Sequence, residues 1–157
     1  MRIGIDLGGT KIEGVLMADD SSIIKRVRIP TPVNDYAGQI SAIASIVSAL
    51  ELDSGLSHLR VGLGHPGTVS PATGKIKNAN STCLNGRALR QDLASAIGRE
   101  IRMANDADCL AVSEQADGAA AGVANTFAVI LGTGVGGGAI INGRLLSGPN
   151  GIAGEWG

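Results

Sequence analysis

The sequence predicts an α/β fold built on a mixed sheet, and three observations predict it. Three strand-like runs, at 2–7, 12–18 and 21–30, follow one another through turns too short for a crossover, so they pair antiparallel. Further strand-like runs at 59–64 and 100–104 are separated by helical patterns, the spacing of α/β units. The 157 residues hold 24 glycines but only one Trp, one Tyr and one Phe, so the core must be built from Ile, Leu, Val and Ala.

Each element has a local reason. RIGIDL (2–7) is apolar enough for a buried strand, and IEGVLMA (12–18) follows it through Gly8 and Gly9. SSIIKRVRIP (21–30) alternates apolar and charged residues, the pattern of a half-exposed strand, and Pro30 and Pro32 end it. Asn34 or Asp35 then caps a helix whose Ile40, Ile43, Val47 and Leu50 fall at helical spacing. LRVGLG (59–64) is a short buried strand leading into a loop rich in Pro and Gly. Within 86–98, Leu89, Leu93 and Ile97 step by four, and Gly98 suits the position just past a helix end. EIRMA (100–104) is a strand, and a helix starts near Asp106. TFAVIL (126–131) and AIINGRLL (139–146) are strands flanking a glycine run. The small-residue stretch 116–125 marks the expected domain boundary, giving residues 1–117 as one unit and 118–157 as the start of a second.

Composition excludes several classes. A formal net charge of −1 offers no basic surface for nucleic acid. Cys83 and Cys109 are too few for a disulfide framework and lack metal-ligand spacing, which fits reduced thiols in a cytoplasmic protein. The start, MRIGIDLGG, breaks the pattern of a signal peptide, and no apolar run approaches the roughly 18 residues of a membrane span.

The glycine run carries the first chemical question. Gly132, Gly134 and Gly137 spell G-x-G-x-x-G, with Glu155 beyond them, as in a dinucleotide fingerprint. That fold requires a helix after the glycine turn, to receive the pyrophosphate. Here the β-branched AIING follows and closes on an Asn-Gly turn, so the segment reads as a hairpin. Five glycines within seven residues are costly to order, which favours a backbone turned closely toward an anion over a plain hairpin. Asp6-Leu7-Gly8-Gly9-Thr10-Lys11 is a second glycine turn between strands. Its glycines admit a phosphate, Thr10 offers a hydroxyl donor, and Asp6 offers a hard oxygen to hydrated Mg²⁺. An ordinary hairpin with a hydrogen-bonded Asp is the alternative.

IGIDLGGTK (3–11), GHPG (64–67), NAN (78–80), NDAD (105–108), LGTGVGGG (131–138) and GIAGEWG (151–157) occur in one order along the chain. Together they resemble the ROK family, within the actin-like ATPase (ribonuclease H-like) superfamily. With LNG after NANST and with AVSEQADGAAAG, the wider pattern is similar to the bacterial fructokinase and mannokinase branch. The resemblance implies an ATP-dependent sugar kinase with two α/β domains around a cleft. It implies ATP phosphates gripped by two glycine hairpins, through Gly8, Gly9, Thr10 and Lys11 in the first and Gly132, Thr133, Gly134, Gly136 and Gly137 in the second. It implies Mg²⁺ held through water at Asp6, and a hexose, fructose or mannose favoured, contacted by Asn80, Asn105, Asp106 and Glu155. Asp106 matches the family's catalytic aspartate, the general base.

Each assignment has a plainer counterpart. Asn105 or Asp106 serves equally as a helix cap, Asn80 as a turn residue, Glu155 as a surface-loop acid and Lys11 as a strand-edge charge. Asp108 stands where Asn is usual, and its extra charge either disturbs Asp106 or faces solvent. His65 fills a variable position of G-x-P-G, either against substrate or as a loop histidine without a role.

In the family, a histidine and a cysteine-rich segment follow GEWG and bind structural zinc, and the second half completes the larger domain. The resemblance therefore reads these residues as an N-terminal half, inactive alone, with zinc expected only in a full-length form. Its last strands, 127–131 and 139–146, are expected to lose their native neighbours and to pair between chains, giving a homo-oligomer. The competing functions are a sugar-sensing transcriptional regulator, which is expected to carry a helix-turn-helix before the kinase-like part where the first strand already starts at Arg2, and a non-catalytic sugar- or nucleotide-binding module.

Overall fold

The computed structural model describes residues 1–131 and 135–156. Strands β1 (Arg2–Leu7), β2 (Lys11–Met17) and β3 (Ile23–Pro30) form an antiparallel meander. Helix α1 (Tyr36–Ser54) crosses to β4 (Arg60–His65), which pairs parallel with β1. A short hairpin, β5 (Thr68–Val69) and β6 (Ile76–Lys77), and one 3-10 turn at Thr82–Leu84 lead to α2 (Leu89–Ile97). Strand β7 (Arg102–Asn105) then joins β4 in parallel and runs directly into α3 (Asp106–Asp117). The five strands lie in the order β3-β2-β1-β4-β7, a mixed sheet of the kind the sequence predicts.

Alternation builds the core. Ile3, Ile5 and Leu7 of β1, Ile12 and Leu16 of β2, and Val61 and Leu63 of β4 are all buried. Ile43, Ile46, Val47 and Leu50 of α1 and Leu89 and Leu93 of α2 complete one cluster with them. Each such side chain contributes roughly 1.5–3 kcal/mol by leaving water. Gly14 lets α1 approach, since a Cβ there would meet Ile46 and lie 3.3 Å from Leu50 Cδ1. Asp35, rather than Asn34, caps α1 by accepting from the Gly38 amide, and Gly55 ends the helix at φ 68°. Gly98 ends α2 at φ 77°, the left-handed conformation glycine favours. Strand β3 starts at Ile23 rather than Ser21, because Asp20 draws the Ser22 amide into a turn.

The last strands form a hairpin, as the sequence predicts: β8 (Thr126–Leu131) and β9 (Val135–Ile141) pair with each other, β10 (Arg144–Leu145) extends the sheet beyond an Asn142–Gly143 turn, and β8 stands at the sheet edge. Ala111 of α3 packs against Ala128 and Ile140 of this sheet. Phe127, Val129 and Leu131 on its other face are exposed. The glycines 136–138 are not a turn between strands but part of β9, opposite Ile130, Val129 and Ala128. The reason is close backbone approach. A Cβ on Gly138 would strike the Ala107 carbonyl, and one on Gly137 would strike the Gly154 carbonyl. Among the described residues, no helix is long and apolar enough to cross a membrane.

Candidate functional site

The register brings the chemistry to one end of the sheet. Asp6 pairs with Gly64 across β1 and β4, and His65 pairs with Asn105 across β4 and β7. The carboxyl ends of three adjacent parallel strands therefore meet at Asp6, the GHPG loop and Asn105–Asp106. This is where open α/β sheets leave a crevice for ligands.

The first glycine turn is tied down by its own backbone. The Gly8 amide donates to the Lys11 carbonyl at 3.0 Å, and the Thr31 amide donates to the Thr10 carbonyl at 3.0 Å. The Thr31 hydroxyl donates to the Gly8 carbonyl at 2.8 Å. Gly8 has no space for a side chain, because a Cβ would stand 2.8 Å from the Lys11 carbonyl oxygen. Gly9 and Thr10 are exposed, and Ser81, next to Asn80, flanks Gly9. Lys11 is exposed, and its charge reaches Asp6. Burial of the Asp6 carboxyl raises its pKa first, and the charges of Asp106 and Glu13 add to that, against the pull of Lys11. Asp6 and Asp106 thus lie near enough for their charges to interact.

The choice of cap at α3 is settled in favour of Asn105. Its Oδ1 accepts from the amides of Ala107 at 2.8 Å and Asp108 at 3.3 Å, and its Nδ2 donates to the Gly67 carbonyl at 2.9 Å. That leaves Asn105 one side-chain N–H to offer a ligand. Asp106 is the first residue of the helix, and its Oδ1 accepts from the Ala107 amide at 2.9 Å.

Asp108 and Glu155 join this acidic group. Burial, then the charges of Glu155 and Asp106, push Asp108 up to about 6. Burial and then Asp106 raise Glu155 as well. The Glu155 carboxylate lies beside Gly136, where a Cβ would stand 3.8 Å from Oε2. The segment carrying it is fastened from two sides: the Thr68 hydroxyl donates to the Gly151 carbonyl at 2.5 Å, and Gly154 packs on Gly137. Asn105, Asp108, Gly137, Gly154 and Glu155 line one cleft there.

The structure therefore brings Asp6, Gly8–Lys11, Asn105, Asp106, Asp108 and Glu155 to one region. Asn80 is exposed, on a loop that Asn85 holds by bonding both the amide and the carbonyl of Ala79. Gly136 and Gly137 lie within a strand, and the absence of a side chain at Gly137 is already required by Gly154 and Phe127. Gly132, Thr133 and Gly134 lie outside the described residues. Sequence reasoning missed Thr31, Thr68 and Asn85, which brace the loops. Their signal was present but unspecific: Thr31 sits between two prolines, Thr68 follows GHPG, and Asn85 belongs to the LNG motif. Among the described residues, no group of three or more His, Cys, Asp or Glu is arranged to hold a metal ion.

Residues 2–157 match the profile of the ROK family. The chain is 38% identical over 157 residues to an N-acetyl-D-glucosamine kinase of Aliivibrio salmonicida, covering 100% of this chain and 52% of that protein. A ROK hexokinase from Thermus thermophilus superposes with a TM-score of 0.83 at 32% identity, over 98% of this chain and 51% of that one. A ROK family glucokinase from Streptomyces griseus, solved with glucose and AMPPNP, superposes with a TM-score of 0.89 at 30% identity, over 99% and 49%. The chain spans about half the length of the curated relatives it matches.

Proposed function

The chain belongs to the ROK family, and from that premise we propose that it carries the catalytic half of an ATP-dependent hexose kinase. One observation supports the reading above the others. Asp106, the residue that matches the family's base, begins a helix at the end of β7, and its charge acts on Asp6, which precedes the exposed glycine turn.

In this reading Asp106 accepts the proton of a sugar hydroxyl as that oxygen takes the γ-phosphoryl group of ATP. The products are a sugar phosphate and ADP. Such transfer asks the protein for positioning, charge stabilisation and a proton acceptor. Asp106 stands in the first turn of α3, at the positive end of the helix dipole. The Gly8–Thr10 turn receives phosphate, with Lys11 in electrostatic reach. Asn105 offers its free N–H to the sugar, and Glu155 and Asn80 approach from the adjoining loops. The carboxylate of Asp6 is the hard oxygen that would hold a hydrated Mg²⁺ through water, and the ion would neutralise phosphate charge there. Gly132, Thr133 and Gly134 are proposed to complete the phosphate grip with Gly136. Fructose or mannose is favoured by the motif pattern, while the relatives' names carry N-acetylglucosamine and glucose.

The test is a coupled ADP-release assay on the protein as expressed from its gene. The panel is fructose, mannose, glucose and N-acetylglucosamine, run beside Asp106→Ala. Asn105 supplies the helix cap, so the variant is expected to fold, and kcat is expected to fall roughly 10²–10⁴-fold. Wild-type turnover in that variant removes Asp106 as the base. No sugar-dependent ADP release with any hexose removes the kinase reading. With the β8 face exposed, the 157-residue chain is expected to self-associate; a single monomeric species in sedimentation at micromolar concentration refutes this.

A further inference from the structure

The short hairpin of β5 and β6 carries polar groups that the sugar chemistry leaves unused. An open groove of about 500 Å³ runs along it, lined by Ser70, Thr73, Lys75, Lys77, Asn78 and Asn85. None of these residues lines the cleft at Glu155.

Backbone bonds hold the groove on both sides. The Ser70 amide donates to the Lys75 carbonyl at 2.9 Å, and the Gly86 amide donates to the Ile76 carbonyl at 2.8 Å. The Gly74 amide closes the turn on the Ser70 carbonyl at 2.8 Å. Strand alternation sorts the side chains. Ile76 packs into the core and is only 2% exposed. Lys75 and Lys77, on either side of it, therefore point outward, on the face of Thr68, the ladder partner of Lys77. Lys75 is exposed and Lys77 half-buried. The groove is thus open to solvent and formed before any ligand arrives.

The charge of the lining has one sign. Two residues apart on one strand face, the lysines stand about 7 Å from each other at Cα. Among the described residues neither ammonium takes part in an ion pair, and no acidic side chain lines the groove. Like charges held this close repel, and an anion between them relieves the repulsion. A phosphate monoester carries nearly two negative charges and three acceptor oxygens, and each ammonium has three donors to give them. The other lining groups are hydroxyls and amides. The Thr73 hydroxyl oxygen accepts from the Lys75 amide at 3.3 Å and keeps its own proton to donate. Asn85 bonds both the amide and the carbonyl of Ala79 and keeps one N–H. No aromatic side chain lines the groove to stack on a nucleobase. Its volume is that of a small-molecule site, and its polar groups suit a hydroxylated ligand.

We propose that this groove binds a hexose phosphate, with the phosphate between Lys75 and Lys77 and the sugar hydroxyls on Ser70, Thr73 and Asn78. The site lies outside the crevice, and its occupancy does not depend on the kinase reading.

The test is isothermal titration calorimetry on the protein as expressed from its gene. Fructose, mannose, glucose and N-acetylglucosamine are all present in excess, to occupy the sugar site. The titrants are the 6-phosphates of these four sugars and inorganic phosphate. At least one ester is expected to bind, about 10-fold or more tighter than inorganic phosphate, because only the ester brings hydroxyls to the groove. In Lys75→Gln/Lys77→Gln that affinity is expected to fall about 10-fold or more, with Tm and the kcat/KM for hexose unchanged. In Lys75→Arg/Lys77→Arg, which keeps both charges, most of the affinity is expected to remain. No binding of any ester, equal affinity for inorganic phosphate, or an affinity that the Gln pair leaves unchanged overturns the proposal. An equal loss in the Gln and Arg pairs overturns it as well. Ester binding that the Gln pair weakens, in a protein that turns over no hexose, upholds this site while the kinase reading fails.

Discussion

Asp108 gives the sharpest test of the site's electrostatics. Its carboxyl is displaced from an ordinary 3.8 to about 6, by burial first and then by Glu155 and Asp106. A carboxyl raised in this way binds more protons folded than unfolded between those two values. Stability therefore falls as pH rises through that window, and the penalty is complete above about 6. At about 1.4 kcal/mol per pH unit, the displacement amounts to at most roughly 3 kcal/mol. The side chain is half-buried, and solvent screening reduces the figure to roughly 1–2 kcal/mol. Asp108 also lies in the first turn of α3, where a carboxylate gains about 0.3–1 kcal/mol from the helix dipole. Repulsion and burial outweigh the dipole. Asp108→Asn is therefore expected to stabilise the fold by roughly 1 kcal/mol at neutral pH, or about 2–4 °C in Tm. The assay is thermal unfolding of both proteins followed by circular dichroism across the range from about pH 4.5 to about pH 7.5. The gain must grow with pH. An equal gain at both ends, or none at the upper end, refutes the assignment of Asp108 to a shared acidic cluster.

The remaining predictions concern the backbone that holds the site. Gly138→Ala drives a Cβ into the Ala107 carbonyl and to 3.0 Å from Asp108 Cα, and is expected to cost about 1–3 kcal/mol in urea unfolding. Gly136→Ala meets nothing nearer than 3.7 Å and is expected to change stability by less than about 0.5 kcal/mol. Equal costs at the two glycines contradict the packing of β9 on α3. Asn105→Ala removes the α3 cap and the bond to the Gly67 carbonyl together, a loss of roughly 2–3 kcal/mol in the same measurement. Asn105→Ser is expected to recover the capping part alone.

How much of this was legible in advance differs from element to element. The meander of β1–β3 was readable because alternation and short turns are local properties. The same holds for α1 and α2, where Asp35, Gly55 and Gly98 punctuate runs of apolar spacing. Asp6, Asp106 and Glu155 were legible as site residues only through their motifs, since nothing local joins residues 6, 106 and 155. The residues 136–138 were misread as turn because glycine carries no strand signal of its own. Their strand conformation is set by partners on either side, Ala107 in α3 and Gly154 in the last loop.

The sequence by itself determined the fold class, the order of the elements and the family, because these depend on residue patterns that neighbours along the chain express. Only the tertiary structure decided which residues face one another. Parallel pairing of β1, β4 and β7 sets Asp6 beside Gly64 and His65 beside Asn105, across about a hundred residues of chain. That pairing lets Asn105 take the cap and leaves Asp106 beside Asp6. It also pushes Asp108 up against Glu155, and it buries His65 with one ring nitrogen unfilled. Charge repulsion, burial and an unmet hydrogen bond are properties of distance in space, which the linear order of residues does not contain.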